Sequence, residues 1–414
     1  MAQDPEVIQK KLLIDSILSL IFKSYMIPLR EHVKQHPELI EKIPGFLIKP
    51  DKICLYINKQ HVGIEYIGKD FIDLKELDDD IPEIDVSYKD FTRNDKNILP
   101  QIIGFKNKSD TTSPLEFPVC PGLNSYLFLA TNRGWDKLSE LGWNFAAQGH
   151  IAVFNSFPPV AVKNIQSRLA NCFFFDSNDT GLITRNIKWL EIIPIFYEDC
   201  DDSEIFKIPI EAVENLFKID KYLEYSVPND YKFKLLPKIN RFIELWGNKN
   251  TTEPQITSFL ACPENEFILT MRFGGVKIHA ERLCEWQSHT RPNIKPDFFI
   301  EHSDGYADIV EFKLPNVANP VVGKTNREAF AFWVHSYIAQ TRVYEEFFED
   351  PKNRNWFEQK YGFKVKRPRR WLVVGRRTDF DAEVWRDIMA DYRNINIITF
   401  DDLVDSVTAQ FYKA

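Results

Sequence analysis

The sequence lacks the features that mark membrane, secreted and disulfide-rich proteins. No apolar run approaches the roughly 18 residues that a membrane-spanning helix needs. The opening residues, MAQDPEVIQKK, carry acids where a secretory signal carries basic and apolar regions. The six cysteines include no CxxC pair and no cluster at metal-ligand spacing, which argues against a disulfide scaffold and a structural zinc site. We therefore expect a soluble, cytoplasmic protein with no membrane partner.

The sequence also lacks an excess of positive charge and the short motifs of several enzyme classes. Its net charge is −8 and its pI is about 5.6, so any contact with a polyanion must depend on a local surface. The segment VVGKT at 321–325 resembles the end of a phosphate-binding loop, but Ala318 stands where that motif needs a glycine. We expect no nucleotide cofactor. No GxSxG motif or catalytic cysteine signature is present.

Residues that can build packed cores are abundant. Hydrophobic residues make up 44% of the 414 residues, and phenylalanine alone occurs 33 times. A chain of this length exceeds what one core normally fills, so two domains are expected. The polar segment WGNKNTTEP at 246–254 has the composition of a domain boundary. We therefore predict an N-terminal domain at 1–248 and a C-terminal domain at 249–414.

The N-terminal domain is predicted to be mixed α/β. Apolar residues at helical spacing indicate an amphipathic helix at 6–36, and alternating Val, Ile and Tyr indicate strands within 46–68. Further patterns predict a strand at 189–197 and helices near 134–147, 158–170, 209–224 and 233–247.

The C-terminal domain is predicted to be a mixed α/β sheet flanked by helices. The expected elements are, in order, helix 253–271, strands 275–286, 294–301 and 307–314, helix 326–349, strand 370–375, helix 381–391, strand 395–400 and helix 401–412.

One predicted hairpin, IKPDFFIEHSDGYADIVEFKLP at 294–315, carries charged residues inside apolar strands. A three-residue loop that ends at Gly305 gives the hairpin a defined register, because glycine adopts the left-handed conformation easily. In that register Asp297 lies opposite Glu311, and Lys313 lies two residues further along the same face. The opposite face carries an apolar row made of Phe298, Ile300, Val310, Phe312 and Leu314.

Two facing carboxylates need a compensating charge. At 4 to 5 Å they repel by roughly 3 to 4 kcal/mol if the effective dielectric constant is about 20. A hydrated divalent cation such as Mg²⁺ or Mn²⁺ would offset this repulsion and would suit oxygen ligands. With a lysine beside it, the inferred chemistry is metal-assisted hydrolysis of a phosphodiester. The alternative is that Lys313 simply neutralises Glu311 on a solvated face, as we expect of Lys360 in the second ExK triplet, Glu358-Gln359-Lys360.

These residues carry a resemblance to a known family. Asp297 after Pro296, followed by Glu311-Phe312-Lys313, resembles the PD-(D/E)xK nuclease signature, and the predicted order of elements from 253 to 375 resembles the αβββαβ core of restriction-endonuclease-like folds. Five segments also resemble the C-terminal nuclease domain of the Shedu family of prokaryotic anti-phage defence proteins: FLACPENE, PDF, VEFKLP, AQTRVY and WLVVGRR. The resemblance spans about residues 251–414. The N-terminal half lies outside it.

The resemblance implies a Mg²⁺-dependent DNA endonuclease with Asp297 and Glu311 as metal ligands and Lys313 as the catalytic lysine. The backbone carbonyl of Phe312 would be a further ligand. It also implies a homo-oligomer, with a tetramer as the expected state, and an N-terminal domain that regulates the nuclease or senses substrate.

Two further positions in this scheme stay open. Gln340 and Tyr344 resemble the family's Gln-x3-Tyr motif, which implies that Gln340 orients the lysine or the substrate; otherwise Gln340 lies on a partly exposed helix face. An acid on an upstream helix is usual in the superfamily, and Glu264, Glu266 and Glu281 are all candidates for it.

A basic run offers a local surface for DNA. The segment KVKRPRRWLVVGRR contains Lys364, Lys366, Arg367, Arg369, Arg370, Arg376 and Arg377 and no acid. The run could instead be a solvated face, and Trp371 within it could either stack on a base or be buried. Two other functions compete with a defence nuclease. One is a nuclease fold that no longer cuts and serves as a DNA-binding scaffold, and the other is a sequence-specific restriction endonuclease.

Overall fold

A computed structural model of the chain describes residues 5–77, 84–93, 96–105, 114–118, 126–142, 151–154, 159–200, 203–225, 231–288, 290–315, 319–325 and 327–411. The chain folds as two compact units. The first unit contains residues 1–136, 146–176 and 184–229, and the second contains residues 137–145, 177–183 and 230–414. No helix in the described ranges is long and apolar enough to cross a membrane.

The described helices are α1 (Pro5–Ile21), α2 (Ile27–Gln35), α3 (Gly45–Ile48), α4 (Ile98–Ile103), α5 (Asn132–Glu140), α6 (Ile210–Asp220), α7 (Tyr231–Trp246), α8 (Glu253–Ala261), α9 (Glu266–Phe273), α10 (Phe332–Glu349), α11 (Pro351–Tyr361), α12 (Ala382–Ala390) and α13 (Phe400–Phe411).

The described strands are β1 (Lys52–Ile57), β2 (His61–Ile67), β3 (Asp85–Asp90), β4 (Glu116–Phe117), β5 (Leu127–Ala130), β6 (Ile151–Phe154), β7 (Val160–Ala161), β8 (Ser167–Asn178), β9 (Gly181–Pro194), β10 (Phe196–Cys200), β11 (Ser203–Lys207), β12 (Lys277–Ala280), β13 (Phe298–Glu301), β14 (Ala307–Phe312), β15 (Val321–Val322), β16 (Ala329–Phe330), β17 (Arg370–Val373) and β18 (Asn396–Ile398). The predicted mixed α/β class is confirmed.

The first unit is built on a large sheet. Among the described residues its strand order is β3-β1-β2-β9-β8-β5-β6. The helix predicted at 6–36 is confirmed as α1 and α2, which a short π-helical stretch at Phe22–Met26 joins. The strands within 46–68 and the helix near 209–224 are confirmed as β1, β2 and α6. Of the helix near 134–147, residues 143–147 lie outside the described ranges.

The helix predicted near 158–170 is wrong. Val160–Ala161 and Ser167–Asn178 form the strands β7 and β8, and residue 158 lies outside the described ranges. Residues 169–177 of β8 are all buried, because this strand lies inside the sheet and is covered on both faces. Only residues 167–170 of β8 overlap the predicted helix, and three of these four are buried. So short a stretch does not show the alternation that marks a strand, and periodicity cannot distinguish it from a buried helix segment.

The second unit contains a five-stranded sheet in the described ranges, ordered β12-β13-β14-β17-β18. The first three strands are antiparallel neighbours, and β17 and β18 continue the sheet in parallel. The predicted helix 253–271 is divided into α8 and α9 by a 3₁₀ turn at Pro263–Asn265. The structure adds the helix α11 and the short strands β15 and β16, and β16 lies within the predicted helix 326–349, which begins only at Phe332. The other elements follow the predicted order, and α7 also belongs to this unit. A functional division at residue 248 stays a prediction.

Two apolar cores cover the face of this sheet against which α10 packs. One contains Phe299, Ile309 and Phe347, and the other contains Leu372, Val374 and Val334. Phe299 and Ile309 lie on the same strand face as Asp297 and Glu311, so the expectation of a hairpin that is polar along one whole face is wrong. The charged residues occupy only the end of that face.

Candidate active site

The hairpin of β13 and β14 has the predicted register. Phe298 pairs with Val310, which brings the preceding residue Asp297 beside Glu311. Asp297 Oδ2 accepts a hydrogen bond of 2.7 Å from the backbone N–H of Phe312. At the other end of the hairpin Gly305 has a φ of +79°, the left-handed value that the three-residue loop requires.

The side chain of Lys313 lies at the centre of the charged groups. Its ammonium donates to Glu311 Oε1 at 2.9 Å and to Glu253 Oε1 at 3.0 Å. The same ammonium lies 5.2 Å from the centre of the Tyr337 ring. Lys313 and Glu311 are only 7% and 2% exposed, so Lys313 is not an ion pair on a solvated strand face. By contrast, Lys360 of the second ExK triplet makes a surface ion pair with Glu285.

The acid contributed by an upstream helix is Glu253, which sequence reasoning missed. Glu253 is the first residue of α8 and follows Thr252, whose backbone N–H donates to Gln255 Oε1 at 2.8 Å. The segment Thr252-Glu253-Pro254 is typical of a helix start, and this pattern could have identified Glu253 as a candidate.

None of the three glutamates considered from the sequence contacts Lys313. Glu264 lies 3.6 Å from Lys238, and Glu281 pairs with Lys295 at 2.9 Å. Glu266 begins α9, where its backbone carbonyl accepts from the hydroxyl of Thr270.

Helix α10 brings Gln340 to the same cluster. Gln340 Nε2 donates to Glu311 Oε1 and to the hydroxyl of Tyr344, both at 2.6 Å. Tyr337, Gln340 and Tyr344 lie on one side of the helix because they are three and four residues apart. The structure therefore brings Gln340, whose side chain is partly exposed, together with Asp297, Glu311 and Lys313.

Burial makes the site electrostatically costly. Burial, and then the charge of Glu311, raise the pKa of Asp297 from 3.8 to about 7, although the bond from Phe312 opposes this rise. Burial also raises the pKa of Glu311, against the effect of the Lys313 charge. Burial disfavours the charged form of Lys313, but Glu311 and Glu253 together raise its pKa above the ordinary value. One ammonium thus faces a group of carboxylates with more negative charge than it can balance.

The donor groups fit a hydrated divalent cation. Glu311 Oε2 is buried and has no hydrogen-bond partner among the described residues, so this carboxylate has a free oxygen beside Asp297. No group of three His, Cys, Asp or Glu side chains in the described part of the chain is arranged around one metal position. Mg²⁺ does not require such a group, because it usually binds one or two carboxylates and fills its other positions with water and phosphate oxygens.

The residues of the basic run differ in exposure and pairing: three form close ion pairs, and the other four are exposed. Arg370 and Arg376 are each 6% exposed and pair with Glu345 at 2.9 Å and with Asp401 at 3.2 Å. Arg377 is exposed and is held by two further carboxylates at 2.6 and 2.9 Å. The remaining basic residues are exposed: Lys364, Lys366, Arg367 and Arg369.

These exposed cations lie near the loop end of the hairpin. The backbone N–H of Lys364 donates to the carbonyl of Gly305, and the N–H of Ile309 donates to the carbonyl of Arg369. Ile309 is four residues from Lys313, which corresponds to about 13 Å along the strand. The run therefore does not join the charged cluster. Trp371 packs edge-on against Phe273 at 5.1 Å, which favours the buried interpretation of its role.

Comparison with known proteins gives a match to a family model that covers the candidate site. A search of curated proteins gave no match to the chain. Residues 234–404 match the family model described as Shedu protein SduA, C-terminal. The matched region contains Glu253, the hairpin, α10 and the basic run. This C-terminal region therefore matches the Shedu family, and the match fits an anti-phage defence protein.

Proposed function

We propose that the second unit is a metal-dependent DNA endonuclease of the PD-(D/E)xK type and that the chain acts as an anti-phage defence effector. One observation carries this proposal. Lys313 is buried in contact with Glu311 and Glu253, while Oε2 of Glu311 has no hydrogen-bond partner among the described residues. A buried oxygen without a partner costs about 1 to 3 kcal/mol, and a bound cation would offset that cost.

Asp297 and Glu311 would hold the metal ion, together with the backbone carbonyl of Phe312. Mg²⁺ or Mn²⁺ is the proposed ion because the donors are oxygens. When bound, the ion would polarise the scissile phosphate and lower the pKa of a coordinated water.

The residues around the metal ligands would position the reacting groups. Lys313 offers an ammonium that would stabilise negative charge developing on the phosphate. Gln340 holds Glu311 through a 2.6 Å hydrogen bond and would fix the direction of the free Glu311 oxygen. Glu253 holds the Lys313 ammonium at 3.0 Å and would keep it beside the reaction centre.

The exposed part of the basic run supports DNA as the substrate. Lys364, Lys366, Arg367 and Arg369 are exposed in a protein with a net charge of −8. They would contact phosphates at a distance from the cut. Arg370, Arg376 and Arg377 have carboxylate partners at 2.6 to 3.2 Å, whereas Lys364 has a looser one, the exposed Glu358 at 3.8 Å. We therefore assign the DNA contact to the exposed four.

A nuclease in the cytoplasm of its own host needs control. We propose that the first unit regulates or senses substrate for the second, and that the active form is a homotetramer. Light scattering at the concentration of a cleavage assay tests the assembly, and a monomeric result would contradict it.

Plasmid cleavage tests the activity. Wild-type protein with Mg²⁺ should nick or cut circular DNA, and a chelator or Lys313→Ala should abolish cutting. Lys360→Ala is the matched control because it removes a lysine from the other ExK triplet, whose partner Glu285 is on the surface. Cutting by Lys313→Ala at the wild-type rate would refute the proposed mechanism.

Two other outcomes would identify a different function. DNA binding without any cutting, and without Mg²⁺ binding that depends on Asp297, would indicate a silent nuclease fold. Discrete fragments from a defined DNA would indicate a restriction enzyme.

A further inference from the structure

Phe332 is the most exposed large hydrophobic residue in the described part of the chain. Its side chain is 87% exposed, although it is the first residue of α10, the helix that supplies Gln340 to the candidate active site. A single exposed apolar residue is ordinary on protein surfaces. Phe332 is of interest because it begins the helix that leads to the charged cluster.

Phe332 directly precedes a pair of aromatic rings that leads to the cluster. The next residue, Trp333, packs edge-on against Tyr337 with ring centres 5.8 Å apart. The ring of Tyr337 in turn lies 5.2 Å from the Lys313 ammonium. Trp333, Tyr337 and Gln340 share one side of α10 because they are spaced by four and three residues. Phe332 lies about 12 Å from Gln340 along the helix axis.

Two exposed cations lie in the hairpin that leads into α10. The hairpin of β15 and β16 directly precedes α10, and the backbone N–H of Ala331 donates to the carbonyl of Pro320 at its base. Lys324 and Arg327 in this hairpin are exposed, and neither has an ion-pair partner among the described residues. The nearby acid, Glu328, is half-buried.

Resting on the function proposed above, we propose that Phe332 stacks on an unpaired base of the DNA strand that enters the active site, while Lys324 and Arg327 contact its phosphates. Proteins that bind single-stranded nucleic acid combine exposed aromatic rings, on which bases stack, with cations that contact the phosphates. A distance of about 12 Å corresponds to roughly two to four nucleotides from the scissile phosphate. The domain would therefore take single-stranded or locally opened DNA on this side.

The test measures binding without cleavage. Full-length protein in a chelator-containing buffer is titrated into a single-stranded oligonucleotide that carries 2-aminopurine, whose fluorescence falls when the base stacks, and into the matching duplex. Phe332→Ala should weaken single-strand binding roughly 5- to 100-fold and reduce the quenching. Phe332→Trp should restore both effects. Tyr222→Ala is the control, because Tyr222 is another aromatic residue with high exposure, 73%.

Three results would overturn the inference. The first is that Phe332→Ala leaves single-strand binding unchanged. The second is that Phe332→Ala weakens duplex and single-strand binding equally, which would indicate that Phe332 inserts between base pairs or belongs to a DNA-binding surface without preference for single strands. The third is that Phe332→Ala changes the oligomeric state with no change in binding, which would indicate that Phe332 contacts a second copy of the chain and not DNA. If the wild type cuts DNA in any of these cases, the nuclease proposal stands and only the role of Phe332 is rejected.

Discussion

Replacing Asp297 with asparagine should stabilise the metal-free protein, and the gain should depend on pH. The folded-state pKa of Asp297 is raised from 3.8 to about 7. An acid whose pKa is higher in the folded state contributes stability below its unfolded pKa, and that stability is lost as the pH rises toward the folded pKa. Wild-type stability should therefore decline between about pH 4 and pH 7 on account of this residue.

The magnitude follows from the same pKa. A rise of roughly three corresponds to an upper limit of about 4 kcal/mol, since each pKa unit is about 1.4 kcal/mol. Asp297 is half-buried, and solvent screening reduces the expected effect to about 2 kcal/mol. In a unit of this size that difference shifts the melting temperature by about 4 to 8 °C. Asparagine retains an oxygen that can accept the bond from Phe312, so the backbone contact is preserved.

Differential scanning calorimetry of both proteins measures this effect. With chelator, Asp297→Asn should melt above the wild type at about pH 8 and close to it at about pH 4. Saturating Mg²⁺ should raise the wild-type melting temperature at the higher pH, because an ion that binds only the folded state stabilises it, and should not raise that of the variant. Asp304→Asn removes an exposed carboxylate of the same hairpin and is the matched control.

Two results would refute the reasoning. An equal effect of Asp297→Asn at both pH values would show that its ionisation does not strain the fold. A Mg²⁺-induced rise that persists in Asp297→Asn would show that the ion binds elsewhere.

Two further predictions concern other charged groups. Glu253→Gln should slow DNA cleavage by roughly 10- to 100-fold, because outer partners of catalytic groups have effects of this size, whereas Glu264→Gln should cut at the wild-type rate in the same assay. In the first unit Arg168 holds the fully buried Asp220 through bonds of 2.8 and 2.7 Å. Arg168→Ala should therefore cost about 3 kcal/mol or more in thermal or denaturant unfolding, and Lys42→Ala, which breaks an exposed pair, should leave the stability nearly unchanged.

Much of the site followed from local rules. The period of two along a strand, together with a loop that ends in Gly305, was enough to place Asp297 beside Glu311 and Lys313 on the same face. Helical spacing in turn related Gln340 to Tyr344. These contacts join residues that are close together along the chain or that belong to a single hairpin. Their relative positions could therefore be predicted from the sequence pattern.

Other features depended on neighbours that no local pattern identifies. Glu253 reaches Lys313 from 60 positions away in the chain, and only the packing of α8 against the sheet selects it over Glu264, Glu266 and Glu281. The predicted helix near 158–170 overlaps only the first four residues of the strand Ser167–Asn178, too short a stretch to show the alternation that marks a strand.

The sequence by itself determined the α/β class, the order of elements in the second unit and the hairpin that joins two acids to a lysine, because each depends on local periodicity and turn chemistry. Only the tertiary structure decided which distant acid completes that cluster and which arginines of the basic run remain exposed. It also left one oxygen of Glu311 without a partner. Burial and charge pairing are properties of the packed chain, so they arise only when distant segments meet.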